Sequence, residues 1–235
     1  IFFCGLSRAL ERPSYARYVL VGLAIGAAAA VRLNGVVLGA VLVVGHCAGG
    51  GWRQVPARLR DPKLWLAAFA ALGALLVLEP YLLLDTGRLL RADTTDDFAY
   101  SLQVARGEAL RLWSLLDLHT VPYAHYWTQL WPQGVGWPLT LFFAGGLGLA
   151  LWRRRVEPML FWCLVYFAMV GGLHTKHVRY LLPLLPFTSL FAAELCRVLW
   201  VRQRWVGGAS AALVLGYTVC HGLAFAGIYL EEDSR

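Results

Sequence analysis

Long apolar blocks constrain the fold of this chain more than any other feature. They run at about 64–84, 137–152, 158–173, 180–199 and 206–230. A helix that crosses a bilayer needs roughly 20 apolar residues. Of the 235 residues, 59% are hydrophobic and only 15% are charged, whereas a soluble domain carries about a quarter charged residues. The sequence therefore predicts an all-α, polytopic helical membrane protein with about five full spans.

The loops between these blocks alternate in charge. Basic residues concentrate at 46–63, 153–155 and 197–204, whereas the 85–136 segment carries six acids against four arginines. Because cytoplasmic loops are enriched in Lys and Arg, we expect the three basic loops inside and the 85–136 segment outside. Membrane orientation then accounts for the net charge of +7, and nucleic-acid binding is not predicted.

The first apolar block, roughly 18–45, is interrupted by Arg32-Leu33-Asn34-Gly35. A break there gives two short helices, 19–31 and 36–45, whose distal ends both face the cytoplasm and which each reach part way across a ~30 Å core. The alternative is one long tilted helix with Arg32 facing other helices. We favour the broken pair, because a single span would place the basic N-terminal residues on the side opposite the basic 46–63 loop.

The 85–136 segment is long for a loop, and such segments usually carry function or structure of their own. Residues 98–118 mix apolar and charged side chains, which predicts one or two amphipathic helices on the outer membrane face. Asp93, Asp96 and Asp97 could bind a cation or act as a base, although solvation and helix capping explain such clusters more often. We treat 1–235 as a single transmembrane domain. Since it starts inside an apolar segment without a methionine, we expect it to be a fragment of a longer protein.

Residues 174–187, HTKHVRYLLPLLPF, place two cations directly before an apolar run. Lys176 and Arg179 either end a span against lipid headgroups or neutralise a phosphate, for which arginine forks and the lysine ammonium are suited. We favour phosphate binding because both cations fall on the predicted outer side, in a short loop, with Tyr180 following at once. His174 and His177 lack a clear third ligand, so no metal site is predicted.

Glu79 precedes Pro80 at the end of a predicted span, with Asp85 just beyond. An acid inside a membrane is costly and is usually functional. The alternative is that Glu79 lies at interface depth and faces water.

Four stretches, taken in order, resemble the later part of the GT-C superfamily of membrane glycosyltransferases, in particular the phospholipid-carrier-dependent branch of protein O-mannosyltransferases and aminoarabinose transferases. They are Gly22 to Gly26 with Val31 to Gly35, Pro80 to Asp85, Gly134 to Pro138, and Lys176 to Pro186. The last stretch is the most specific.

The resemblance implies transfer of a hexose or pentose from a polyprenyl-phosphate-linked donor to a lipid, glycan or protein acceptor. The active site would face outward, toward the periplasm, from a bacterial inner (plasma) membrane. Lys176, Arg179 and Arg32 would bind the donor phosphate, and Glu79, Asp85 and Tyr180 would orient substrate. The catalytic aspartate of such enzymes is expected outside this chain. No cofactor is predicted, since a divalent metal occurs in only some relatives.

Two other hypotheses about the function remain. A polyprenyl-lipid flippase or transporter also needs outer-face cations, but it should line several spans with polar residues, and 137–152 and 158–173 are almost wholly apolar. A non-catalytic membrane subunit fits the missing aspartate.

Overall fold

The computed structural model describes residues 2–48, 52–85, 87, 98–109, 111–117, 119–153 and 158–228. Within these ranges every regular element is helical and no strand occurs, which confirms the all-α prediction. The acidic cluster Asp93, Asp96 and Asp97 lies outside the described residues. The chain divides into two compact units, Ile1–Val104 with Val156–Tyr166, and Ala105–Arg155 with Phe167–Arg235.

The first unit is built from short helices. They are α1 (Phe2–Glu11), α2 (Tyr15–Val31), a 3-10 turn (Leu33–Val36), α3 (Val37–Ala48), a 3-10 turn (Trp52–Gln54), α4 (Val55–Leu59), α5 (Pro62–Leu78) and α6 (Tyr81–Leu84), and most of α7 (Phe98–Arg106) follows. Local signals set the helix starts. Ser14 caps α2 by accepting a hydrogen bond from the Arg17 amide, and Asp61 caps α5 by accepting one from the Lys63 amide.

The break at Arg32 is confirmed. Helix α2 ends at Val31 and α3 begins at Val37, with a 3-10 turn between them. The two helices form an antiparallel hairpin, because the Tyr18 hydroxyl near the start of α2 lies 2.6 Å from Nδ1 of His46 near the end of α3. The distal ends of the pair therefore meet on one side, as the broken-pair interpretation requires.

Helices α2 and α5 approach each other closely through small residues. A β-carbon on Gly22 would overlap the carbonyl oxygen of Ala67, and one on Gly26 would overlap that of Ala71. Glycines four residues apart on one helix face let two backbones approach in this way, as in membrane helix pairs. The Gly22 to Gly26 stretch therefore has a packing role inside the first unit.

The second unit continues with a 3-10 segment (Leu112–Asp117), a π-helical turn (Tyr126–Leu130), α8 (Trp131–Val135), α9 (Trp137–Trp152), the end of α10 (Pro158–Gly171), a 3-10 helix (Val178–Leu184), α11 (Leu185–Arg202) and α12 (Arg204–Ile228). A β-carbon on Gly146 of α9 would overlap the carbonyl oxygen of Phe191 of α11. At one end of the same helix pair, Glu194 pairs with both Arg153 and Arg197. Close packing and the Arg153–Glu194 ion pair thus hold α9 against α11, whereas the Arg197–Glu194 pair lies within α11.

Among the described residues, two helical stretches are long and apolar enough to cross a membrane, Arg179–Arg202 and Arg204–Gly227. The other apolar helices have 10–17 residues. At ~1.5 Å per residue, a helix of that size is shorter than a ~30 Å core. The predicted set of about five full spans is therefore supported only in part, because glycine, proline and charge interrupt the other blocks. Large apolar side chains of α12 such as Leu215 and Leu223 are more than 65% exposed, which is typical of a surface that faces lipid.

Candidate functional site

Residues 172–177 connect α10 to the 3-10 helix Val178–Leu184. They form a turn with defined backbone contacts. The His174 amide donates to the carbonyl of Ala105 at 2.7 Å, and the Tyr180 amide donates to the carbonyl of His177 at 3.0 Å. The Lys176 ammonium donates to the carbonyl of His174 at 2.9 Å. Three of the six predicted site residues, Lys176, Arg179 and Tyr180, are thus brought together in the second unit.

The two predicted phosphate-binding cations have different surroundings. Lys176 belongs to the irregular turn and is only 5% exposed. Arg179 lies in the first turn of the 3-10 helix, is exposed, and holds its guanidinium 5.7 Å from the centre of the Tyr180 ring. A buried ammonium ion loses most of its hydration, so its charge acts strongly on any anion nearby. The exposed guanidinium of Arg179 can present its N–H donors to an anion that arrives from solvent.

Tyr123 holds the end of α10 in place, a role that the sequence did not reveal. Its φ of 60° is the left-handed conformation, which is uncommon for residues other than glycine. Its amide donates to the carbonyl of Gly171 at 3.0 Å, and its hydroxyl donates to the carbonyl of Ala168 at 2.9 Å. A side chain at Gly171 would overlap the tyrosine ring. Gly171 and Gly172 leave room for Tyr123, because a β-carbon on either glycine would lie less than 3 Å from the tyrosine side chain.

The ring of His174 packs closely against Gly107. Gly107 has a φ of +81°, and a β-carbon on it would lie 2.8 Å from Cγ of the His174 ring. Only glycine fits this position without strain, because the conformation and the space both exclude a side chain. Together with the hydrogen bond to Ala105, this contact fixes the imidazole against the segment that follows α7.

The other three predicted site residues, Arg32, Glu79 and Asp85, belong to the first unit. Arg32 ends α2, Glu79 ends α5 and Asp85 follows α6. All three are exposed. The predicted helix end at Glu79 is confirmed, and their roles toward a substrate stay predictions.

A metal site has little support in the described part of the chain. No group of three or more His, Cys, Asp or Glu side chains is arranged there to hold a metal ion.

Comparison with curated proteins finds a glycosyltransferase among the relatives of this chain. The lipopolysaccharide core galacturonosyltransferase RgtB of Rhizobium johnstonii is 27% identical over 219 residues, which cover 78% of this chain and 42% of the relative. The chain thus spans less than half the length of the curated relative that it matches. No protein-family profile matches it. No solved structure matches it either.

Proposed function

We propose that this chain is part of a membrane glycosyltransferase. It transfers a sugar from a polyprenyl-phosphate-linked donor to a glycan acceptor at the outer face of the bacterial plasma membrane. Similarity to a galacturonosyltransferase supports sugar transfer, and the name of that relative points to a lipopolysaccharide core as the acceptor. The observation that carries the proposal is the buried Lys176 side chain, which lies three residues before the apolar, span-length stretch Arg179–Arg202.

Sugar transfer from such a donor breaks the bond between the anomeric carbon and a phosphate oxygen. Negative charge grows on the departing phosphate, and a fixed cation in a poorly hydrated site stabilises that charge. Lys176 supplies this cation at a position fixed by its hydrogen bond to the carbonyl of His174. Arg179 adds a guanidinium fork from the exposed side, where it binds phosphate oxygens in pairs.

The remaining residues take supporting roles in this proposal. Arg32 adds a third positive charge toward the lipid phosphate. Tyr180, Glu79 and Asp85 orient sugar or acceptor hydroxyls, and an aspartate elsewhere in the full protein acts as general base. The apolar helices together form about five spans and a re-entrant hairpin, α2 with α3, in the plasma membrane. The 85–136 segment and residues 174–180 face outward.

The test is a transfer assay with the complete protein in proteoliposomes, a radiolabelled polyprenyl-phosphate sugar and a lipopolysaccharide core acceptor. Lys176→Met keeps the length and apolar stem of the side chain but removes the charge, and we expect it to lower kcat/KM at least ~30-fold. Arg179→Gln should cost ~10-fold, since a charge-assisted hydrogen bond is lost from an exposed position. Arg204→Gln, an exposed arginine at the start of α12, is the control and should act like wild type.

Two results would overturn the proposal. One is wild-type protein that transfers no sugar from any polyprenyl-phosphate donor. The other is Lys176→Met protein with unchanged transfer. Movement of the labelled lipid across the bilayer without sugar transfer would favour the hypothesis that the protein is a lipid flippase or transporter.

A further inference from the structure

Helices α2 and α5 run parallel to each other, so their first turns lie at the same end of the first unit. Gly22 of α2 packs on the backbone of α5 at Ala67, and Gly26, one turn later, packs on it at Ala71. The two contacts advance together along both helices, which is possible only when the helices point the same way.

A contact between the first turns agrees with this arrangement. Helix α2 begins at Tyr15 and α5 begins at Pro62, and the Lys63 ammonium lies 5.7 Å from the centre of the Tyr15 ring. A helix N-terminus carries about half an elementary positive charge. Two such ends at one place therefore favour an anion there.

Basic side chains add to the positive charge of these helix starts. The first turns of α2 and α5, together with the residues that lead into them, carry Arg12, Arg17, Arg58, Arg60 and Lys63. Arg12 and Arg60 are exposed, and neither forms an ion pair with another described residue. Their guanidinium groups are thus available to an anion from outside the protein.

The acids near the helix starts are bound by the chain itself. Oδ2 of Asp61 lies 3.6 Å from the Lys63 ammonium, and the Glu11 carboxylate accepts a hydrogen bond from the Ser7 hydroxyl at 3.0 Å. These contacts leave an excess of positive charge at this end of the unit.

Further along α5, the helix presents an exposed apolar face. Trp65, Phe69 and Leu72 are spaced by four and three residues, so they share one side of the helix. Each of the three is more than half exposed. The Trp65 indole donates to the carbonyl of Leu59 at 3.0 Å, which holds the ring near the helix start. Tryptophan favours the headgroup level of a membrane, and the apolar side chains beyond it suit hydrocarbon.

The order of these groups along α5 matches that of the parts of a phospholipid. The cations correspond to the phosphate, Trp65 to the headgroup boundary, and Phe69 and Leu72 to the acyl chains. Guanidinium groups bind phosphate oxygens through paired N–H donors. The cytoplasmic leaflet, where the basic 46–63 loop is predicted to lie, is the negatively charged one.

We propose that the starts of α2 and α5 bind an anionic phospholipid of the cytoplasmic leaflet. Arg12 and Arg60 bind its phosphate, and its acyl chains lie along Trp65, Phe69 and Leu72. Charge complementarity selects an anionic headgroup over a zwitterionic one. This lipid is separate from the substrates of sugar transfer, and its binding does not depend on the proposed function.

The experiment measures lipid binding by the complete protein in an uncharged detergent. Native mass spectrometry compares bound phosphatidylglycerol with phosphatidylcholine that has the same acyl chains. We expect wild type to prefer phosphatidylglycerol at least ~10-fold, and the double variant Arg12→Gln with Arg60→Gln to prefer it less than ~3-fold. Both arginines are exposed, so the melting temperature should not change.

A matched double variant removes the same charge from another basic turn. Arg202 and Arg204 are also exposed and flank Gln203, which is likewise predicted to face the cytoplasm. Arg202→Gln with Arg204→Gln should keep the wild-type preference for phosphatidylglycerol. Equal losses in the two double variants would mean that any basic edge attracts the lipid, and would overturn the site.

Two further probes test the position and the source of the bound group. Phosphatidylglycerol with brominated acyl chains should quench more fluorescence in wild type than in Trp65→Phe, because the chains lie against the Trp65 ring. Equal quenching would place the chains elsewhere and overturn the proposal. Displacement of phosphatidylglycerol by millimolar inorganic phosphate would also overturn it, since the site would then bind free phosphate.

Discussion

His46 has an oxygen atom near each of its ring nitrogens. Nδ1 lies 2.6 Å from the Tyr18 hydroxyl, and Nε2 lies 3.7 Å from Oδ2 of Asp61. The backbone carbonyl of His46 accepts from Arg58 at 2.7 Å. Tyr18 lies on α2, His46 on α3, Arg58 on α4 and Asp61 between α4 and α5. The ring and backbone of His46 therefore contact three other parts of the first unit. Since His46 is 8% exposed, water cannot readily replace a lost partner.

Tyr18→Phe tests this network. The substitution removes one hydroxyl and leaves Nδ1 of His46 buried without its partner, so we expect the free energy of unfolding to fall by about 1–3 kcal/mol. Tyr15→Phe makes the same change at a 55% exposed tyrosine of the same helix and should be nearly neutral. Thermal unfolding in detergent measures both. Equal melting temperatures for the two variants would contradict the network.

At the scale of elements, the helices of each unit are held by contacts between backbones. Gly22 and Gly26 let the backbone of α2 approach that of α5, and Gly146 lets the backbone of α9 approach that of α11. Helices in lipid gain little from burying apolar surface against one another, so close approach and dispersion supply much of their association. Glycine thus contributes here through the absence of a side chain.

Gly26→Ala should lower stability although alanine is the better helix former. The added methyl group would meet the carbonyl oxygen of Ala71 and lie 2.7 Å from the β-carbon of Ala74, and overpacking of this kind costs about 1–3 kcal/mol. Gly73→Ala is the matched control on α5, where a β-carbon meets nothing within 4 Å. We expect it to be neutral or to gain up to ~1 kcal/mol from helix propensity. A melting temperature that rises in both variants would exclude the close contact.

At the scale of the whole molecule, the two span-length helices follow one another directly. Arg179–Arg202 and Arg204–Gly227 are separated by Gln203 alone. If both cross the bilayer, Gln203 lies on one face, and the 174–179 segment lies on the other. The arginines around Gln203 favour the cytoplasm for that turn.

Cysteine accessibility tests this orientation in intact cells. In a background without the native cysteines, Val121→Cys, at a 65% exposed position of the second unit, should react with a membrane-impermeant maleimide from outside. Gln203→Cys is also exposed and should react only after permeabilisation, because ~30 Å of hydrocarbon separates the faces. Labelling of both positions from outside would overturn the proposed orientation.

Sequence alone determined the helical class, the break at Arg32 and the helix end at Glu79. These are local properties, since run length, interruption by charge and proline, and capping residues act within a few positions of the chain. Tertiary structure decided the character of the site. It buries Lys176 and exposes Arg179, three residues away; it holds Tyr123 in a left-handed conformation; and it fixes His174 against Gly107. Burial and orientation depend on what distant parts of the chain bring to a position, and no local pattern encodes those neighbours.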